Sequence, residues 1–205
     1  MNAGWRIVIP LRLSDAKSRL STHTAPRRRE LVVAMALDVV TAAAACTGVG
    51  DVVLVADPAG IEAVGTSGIG GIRTLEDAGG GLNAAILAGA ADAPGPVAAL
   101  LADVPCATPE ALALALAACT DAPAIVSDAE GIGTTLLGAP HAAGLRPRFG
   151  ARSRAAHISA GARDIGDPTP GALAGLRRDV DSEVDLWDAR RIGVGAFTHV
   201  VVDGS

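Results

Sequence analysis

The chain has 205 residues, of which half are hydrophobic and 19% are charged, so it can form one globular domain with a substantial core. Its net charge of −5 and its 2% of aromatic residues argue against a nucleic-acid-binding protein, because a phosphate backbone requires a basic surface and single strands require aromatic platforms. No apolar run approaches the roughly 18 residues of a membrane span and no signal peptide precedes the first apolar run, so we expect a cytoplasmic protein without membrane contact.

Short apolar runs alternate with helical patterns along the chain. The predicted strands are 6–10, 52–56, 97–102, 124–127, 134–137 and, as a late edge strand, 197–202. The predicted helices are 26–46, 82–91, 109–119, 153–161 and a segment after Asp181 that runs through Trp187. Apolar strands without alternation, separated by helices, indicate a mostly parallel central sheet with helices on both faces. We therefore expect residues 1–205 to form a single α/β domain that binds ligands beyond the carboxyl ends of its strands.

The first predicted strand leads into a loop that carries two cations. The strand ends at Pro10, and Lys17 and Arg19 follow it, two residues apart. A triphosphate needs such charge, because nucleotidyl transfer develops negative charge on the bridging oxygen and on the departing pyrophosphate. The loop lacks the G-x-x-x-x-G-K-[ST] pattern of a Walker P-loop. The alternative is an exposed basic loop without a ligand.

Three aspartates occur in patterns that suit a divalent metal ion. Asp103 directly follows the apolar run 97–102, where a charged group must be paired, solvated or bound to a metal. Asp179 and Asp181 lie two residues apart, and in an extended segment their carboxylates project to the same side. Like charges so close favour a hard cation such as Mg²⁺, which prefers a few carboxylates together with phosphate oxygens. The alternative for Asp179 and Asp181 is a solvated acidic turn that caps the following helix.

Two glycine-containing segments combine backbone freedom with hydroxyl groups. The first is 131–137, which includes Thr135, and the second is 148–153, which includes Gly150 and Ser153. Hydroxyl groups can donate to phosphate or carboxylate oxygens, and Ser153 at a predicted helix start lies beside free backbone amides. The alternatives are a hairpin turn for the first segment and an ordinary helix cap for the second.

Together these motifs resemble the phospholactate and phosphoenolpyruvate guanylyltransferases of coenzyme F420 biosynthesis (the CofC/FbiD family). The resemblance extends from about Arg6 to Leu186, and its most specific parts are the Ala-Lys-Ser-Arg-Leu run and the spacing of Phe-Gly, Ser and His in the second glycine segment. The matching pieces are Ile9-Pro10 with Asp15–Leu20, Gly81–Ala85, Ala102–Pro105, Gly133–Leu137, Arg148–Gly150 with Ser153 and His157, and Asp179–Asp181 with Asp185-Leu186.

The resemblance implies a Rossmann-like nucleotidyltransferase fold of the sugar-nucleotide transferase type, and it implies roles for particular residues. Asp103, Asp179 and Asp181 are expected to hold Mg²⁺. The acid substrate is assigned to three residues, Thr135, Gly150 and Ser153. The nucleotide is assigned to Pro10, Lys17, Arg19 and Asn83, and the catalytic set is Lys17, Arg19 and Asp103. Arg152 and Ile132 stand where the family usually has a second glycine and a smaller residue, which concerns fine specificity rather than reaction type.

The expected reaction joins GMP from GTP to a small phosphorylated carboxylic acid, with phosphoenolpyruvate favoured. The acceptor phosphate is already ionised at neutral pH, so no general base is needed and His157 is expected to be structural. A hand-off to the next transferase of the pathway and a homo-oligomer are further expectations. The alternatives are 2-phospho-L-lactate or 3-phosphoglycerate as acceptor, a molybdenum-cofactor-type nucleotidyltransferase, and a catalytically silent nucleotide-binding regulator.

Overall fold

A central sheet of seven strands organises the protein. The structure is a computed structural model that describes residues 4–13, 24–166 and 169–204. The strands are β1 (Trp5–Leu11), β2 (Val49–Ala56), β3 (Ile72–Glu76), β4 (Val97–Leu100), β5 (Ala124–Ser127), β6 (Thr134–Ala139) and β7 (Arg163–Asp164). Their spatial order is β3-β2-β1-β4-β6-β5-β7.

Eight α-helices and a short 3₁₀ helix (Ala142–Gly144) are present in the described part of the chain. The α-helices are α1 (Ala25–Ala45), α2 (Pro58–Gly65), α3 (Leu82–Ala90), α4 (Pro109–Ala117), α5 (Ser153–Ser159), α6 (Ala174–Arg177), α7 (Glu183–Ile192) and α8 (Ala196–Asp203). Within the ranges described, none of these helices is both long and apolar enough to cross a membrane.

All strands but one run in the same direction. β1 is parallel to both β2 and β4, β3 is parallel to β2, and β7 is parallel to β5. β6 alone is antiparallel, and it separates β4 from β5. The carboxyl ends of β1 to β5 therefore meet the beginning of β6 at one edge of the sheet, and the predicted mostly parallel α/β domain is confirmed.

Both faces of the sheet are covered, which explains why its strands are apolar without alternation. Ile7 and Ile9 of β1 belong to the larger core cluster with α1, α4, α6, α7 and α8. Val8, between them, belongs to the second cluster with Ile86 of α3 and Phe149. Successive strand residues thus pack against helices on opposite faces.

The predicted edge strand 197–202 is wrong, because this segment forms α8. Its start is held by Asp38 of α1, whose carboxylate accepts the N–H groups of Phe197 and Thr198, each at 2.9 Å. Thr198 and Val201 are buried at helical spacing. Capping and packing against α1 therefore outweigh the strand preference of its β-branched residues.

Candidate active site

Aspartates follow the carboxyl ends of neighbouring strands. Asp57, after β2, accepts the N–H groups of Gly60 at 2.9 Å and of Leu13 at 3.1 Å. Asp77, after β3, pairs with Arg12 at 2.6 Å, and this partner lowers the pKa of Asp77. These contacts hold the chain where it leaves β1 for the basic loop.

The residues predicted to meet the nucleotide are only partly described. Pro10 is buried in β1, in register with Val55 of β2. Lys17 and Arg19 lie outside the described residues, so their contact with a triphosphate stays a prediction.

The three aspartates predicted to bind metal come together. The Val180 N–H donates to the Asp103 carbonyl oxygen at 2.9 Å, and Val180 is fully buried. This bond brings the segment after β4 against the Asp179-Val180-Asp181 segment. Asp103 and Asp181 both lie close enough to Asp179 for their charges to act on its carboxyl group, although 76 positions separate Asp103 from Asp179 in the sequence.

Negative charge is concentrated around Asp179. Burial, and then the charges of Asp103, Asp181 and Asp128, raise the pKa of Asp179 to about 7. One carboxylate oxygen from each of Asp128, Glu130 and Asp179 lies within 4.8 Å of the others. Carboxylates that repel one another around a half-buried carboxyl group fit a hard divalent cation, which resolves the repulsion.

Asp128, at the end of β5, is a site residue that sequence reasoning missed. Its two carboxylate oxygens accept the N–H groups of Ile132 at 2.8 Å and of Gly133 at 2.6 Å. A Cβ atom on Gly133 would lie 2.3 Å from the Asp128 Oδ2, so this approach requires glycine. The signal was available, because Asp128 follows the apolar run 124–127 as Asp103 follows 97–102.

Arginines beside the acidic cluster tie its segments together. Arg178 pairs with Glu130 at 2.9 Å, with Asp185 at 3.3 Å and with Asp188 at 3.6 Å. Arg177 donates to the Asp128 carbonyl oxygen at 3.0 Å. The segment that carries Asp179 is therefore anchored both to β5 and to α7.

The residues predicted to bind the acid substrate lie on β6 and at the start of α5. Thr135 is fully buried, and its hydroxyl donates to the Val126 carbonyl at 3.4 Å. Gly150 has φ 139°, a conformation that favours glycine, and its carbonyl accepts the Ser153 N–H at 3.2 Å. Arg152 has φ 58°, so the departure from the family pattern places a side chain in the left-handed region.

Asn83 and His157 hold the backbone just before Gly150. The Asn83 side chain accepts the Phe149 N–H at 2.8 Å and donates to the Phe149 carbonyl at 3.1 Å. Nε2 of His157 accepts the Arg148 N–H at 2.8 Å. Asn83 thus contacts the segment predicted for the acid substrate, and its contact with a nucleoside stays a prediction.

Comparison with known proteins identifies relatives over nearly the whole chain. Residues 5–166 match the family described as CofC-like guanylyl transferases. A phosphoenolpyruvate guanylyltransferase of Streptomyces coelicolor is 44% identical over 96% of this chain and 95% of its own length. One from Salinispora arenicola is 42% identical over 98% of this chain and 94% of its own length.

Solved structures share the fold at low sequence identity. A structure identified as a nucleotide-diphospho-sugar transferase of Desulfovibrio desulfuricans G20 has a TM-score of 0.71 and 15% identity, over 100% of this chain and 95% of that one. A Mycobacterium tuberculosis H37Rv protein in complex with manganese has a TM-score of 0.55 and 18% identity, over 94% of this chain and 98% of that one. With a sheet and helices of the nucleotidyltransferase type and a matched span of 162 residues, the chain belongs to the CofC-like guanylyl transferase family.

Proposed function

We propose that this chain is a phosphoenolpyruvate guanylyltransferase, which transfers GMP from GTP to phosphoenolpyruvate and releases pyrophosphate. The observation that carries the proposal is the near full-length similarity to relatives of that name, at 42% and 44% identity. The geometry supports it, because an acidic cluster around the half-buried Asp179 lies at the carboxyl edge of the sheet, where α/β domains bind their ligands.

The reaction needs positioning and charge neutralisation rather than a proton acceptor. An oxygen of the acceptor phosphate attacks the α-phosphorus of GTP, a new P–O bond forms, and the bond to the α–β bridging oxygen breaks so that pyrophosphate leaves. The second pKa of a phosphomonoester is about 6, so the attacking oxygen is already ionised at neutral pH. A structural role for His157 fits this mechanism, because both of its ring nitrogens take part in hydrogen bonds within the protein.

We assign Mg²⁺ to Asp103, Asp179 and Asp181. The fit rests on the repulsion of Asp179 by Asp103 and Asp181, and on the backbone bond that holds Val180 against the segment after β4. Asp128 directs both oxygens to the amides of Ile132 and Gly133, so we assign it to the loop. Mg²⁺ bound here would neutralise charge on the phosphate oxygens. A protein of the same fold has been solved with manganese.

The two substrates are assigned to opposite sides of this acidic cluster. GTP lies along the loop after β1, where Lys17 and Arg19 supply positive charge for the phosphates and Pro10 ends the strand. The acid lies against β6 and the start of α5, with Thr135, Gly150 and Ser153 as its contacts. Charged groups fixed in place before the reaction stabilise the transition state without reorganising.

The proposal extends to a place in coenzyme F420 biosynthesis. The product, enolpyruvyl-diphosphoguanosine, carries an activated phosphate, so a following transferase must consume it, and a direct hand-off to that enzyme would protect it. The cytoplasm is the expected location because GTP and phosphoenolpyruvate are found there. The same proposal includes a homo-oligomer formed by copies of this chain.

The test is pyrophosphate release from GTP at saturating Mg²⁺, with phosphoenolpyruvate, 2-phospho-L-lactate and 3-phosphoglycerate supplied in turn. We expect release that requires both GTP and an acid, with little release when ATP or CTP replaces GTP. No release with any of the three acids would overturn the proposed function. Equal release with ATP or CTP would overturn the choice of nucleotide.

A further inference from the structure

Residues Arg148–Ser153, which we call the acceptor loop, begin with a backbone fixed by two helices. Asn83 extends from the first turn of α3 and makes two hydrogen bonds to the Phe149 backbone. His157 extends from α5 and accepts the Arg148 N–H. The successive amides of Arg148 and Phe149 are therefore held by side chains from two different helices.

The hydrogen bonds of His157 determine its tautomer. Because Nε2 accepts a backbone N–H, that nitrogen carries no proton, and Nδ1 carries one and donates it to the Thr134 hydroxyl at 3.0 Å. Burial, and then the charge of Arg148, lower the pKa of His157 to about 4, which keeps the ring neutral. The rings of Phe149 and His157 form an edge-to-face pair with their centroids 4.9 Å apart. The imidazole thus joins the acceptor loop to β6.

The rest of the acceptor loop has a backbone that needs such support. Gly150 and Arg152 have φ values of 139° and 58°, and a non-glycine residue is rarely stable in the left-handed region unless its surroundings hold it there. The Arg154 N–H, just beyond the loop, donates to the Ile132 carbonyl at 3.1 Å. The first residues of the loop and the first turn of α5 are therefore both anchored, and the strained residues lie between these anchors.

We propose that Asn83 and His157 are positioning residues for the acid substrate, which set the geometry of Gly150 and Ser153 through the acceptor loop. The inference rests on the proposed function, since it takes Gly150 and Ser153 as contacts of the acid. It assigns Asn83 to the acceptor side of the reaction, by way of Phe149, in place of the nucleoside contact that the sequence predicts. Misplacing a contact by about 1 Å can cost on the order of 100-fold in rate, so a loosened loop should act strongly on the acid and weakly on GTP.

The test uses Asn83→Ala, which removes both hydrogen bonds to Phe149, and His157→Phe, which keeps a ring but loses both nitrogens. We expect kcat/KM for phosphoenolpyruvate to fall by up to about 100-fold in each, while KM for GTP stays within about twofold of wild type. His157→Gln retains an acceptor for the Arg148 N–H and should recover part of the loss. Hydrogen–deuterium exchange should be faster in 148–153 in the first two variants.

Asp38→Ala is the matched control. Asp38 also accepts two successive backbone amides, but at the start of α8, in the core cluster on the face of the sheet away from α3. It should lower Tm and leave both KM values unchanged. Equal increases in KM for GTP and for phosphoenolpyruvate, or unchanged exchange in 148–153, would overturn the inference. If the wild type releases no pyrophosphate, the proposed function fails, and the exchange measurement still decides whether Asn83 and His157 fix the loop.

Discussion

Asp103 contributes to the fold through its backbone, and we assign its side chain to the metal site. Its carbonyl oxygen accepts the Val180 N–H, while its carboxylate adds to the negative charge around Asp179. Asp103→Asn keeps the side-chain size and removes the charge, so we expect the fold to survive and turnover to collapse. Loss of a group that only orients a metal ligand costs about 10–100-fold, and loss of a ligand should cost more.

This prediction is checked by measuring pyrophosphate release and Tm on the same preparations. Glu62→Gln is the control, because it removes one exposed carboxylate from α2 and should leave both values unchanged. A folded Asp103→Asn protein with near wild-type turnover at saturating Mg²⁺ would contradict the metal assignment.

The raised pKa of Asp179 makes the stability of the metal-free protein depend on pH. The pKa rises from 3.8 to about 7 on folding, so the stability linked to this group is fully present below about pH 4 and is lost as the pH rises to about 7. Asp179→Asn removes this dependence. The Tm of Asp179→Asn minus the Tm of the wild type should therefore increase from about pH 4.5 to pH 8, when both proteins are melted in the presence of a chelator. A difference that stays constant over this range would refute the prediction.

Lys17 lies in the basic loop, outside the described residues, and its role can be tested through the two substrates. Lys17→Ala removes a charge that we assign to the triphosphate, so KM for GTP should rise more than KM for the acid. Steady-state kinetics with each substrate varied in turn measures the two values. If KM for the acid rises sharply while KM for GTP is unchanged, the loop was assigned to the wrong substrate.

The sequence predicts those candidate site residues that a short-range pattern marks, and it misses those whose partners lie far away along the chain. Asp103, Asp179 and Asp181 are recognisable because an apolar run or a two-residue spacing marks them. Asn83 contacts Phe149, 66 positions away, and no local pattern indicates that pairing. Asp128 has the same signal as Asp103, but the sequence does not state that its carboxylate would turn to the following loop.

At the scale of the element, the best predicted strands are those buried on both faces. β1, β2 and β4 are built around buried apolar residues, and their structural bounds lie within three residues of the predicted ones. β3 was missed, because this outer strand leaves Arg73, Thr74 and Glu76 exposed and so lacks an apolar run. The strand predicted at 197–202 is wrong for another reason. Its β-branched residues favour a strand, but the carboxylate of Asp38, which is distant in the sequence, caps the segment as a helix.

The packing of α3 on the sheet depends on Gly89. A Cβ atom there would lie 2.5 Å from a γ-carbon of Val8 and 2.9 Å from one of Val55, and both valines are buried. Overpacking costs about 1–3 kcal/mol, against a gain in helix propensity of about 1 kcal/mol. Gly89→Ala should therefore lower the free energy of unfolding by up to about 2 kcal/mol, and Tm by up to about 8 °C.

Gly65→Ala is the matched control for this prediction. Gly65 is also helical, but a Cβ atom on it would meet no atom within 4 Å. It should stabilise the protein slightly, because only the propensity gain remains. Thermal melts of the two variants give the comparison, and equal Tm changes would mean that Val8 and Val55 accommodate the added methyl group.

At the scale of the molecule, the reversed strand β6 determines how the site is divided. Its first residue, Thr134, lies at the edge where β4 ends, because β6 pairs with β4 in the antiparallel direction. β1, β2 and β3 lie on one side of β4, whose carboxyl end precedes Asp103, and β6, β5 and β7 lie on the other side. Two substrates can therefore approach one acidic cluster from opposite sides, as the proposed transfer requires.

The choice between phosphoenolpyruvate and 2-phospho-L-lactate tests the whole acceptor side at once. Both acids carry a phosphate and a carboxylate, so charged contacts cannot tell them apart. They differ at one carbon, which is planar in phosphoenolpyruvate and tetrahedral with a methyl group in phospholactate. A pocket that reads only shape discriminates by about 1–3 kcal/mol, or roughly 10–200-fold.

We expect kcat/KM to favour phosphoenolpyruvate within that range, in line with the substrate named for the Streptomyces and Salinispora relatives. The acceptor side can read shape because the backbone before Gly150 is held by hydrogen bonds from Asn83 and His157. The measurement is kcat/KM for each acid with GTP and Mg²⁺, with the product trapped by the following transferase. A clear advantage for phospholactate or 3-phosphoglycerate would reverse the choice of acceptor, while guanylyl transfer to a phosphorylated acid would stand.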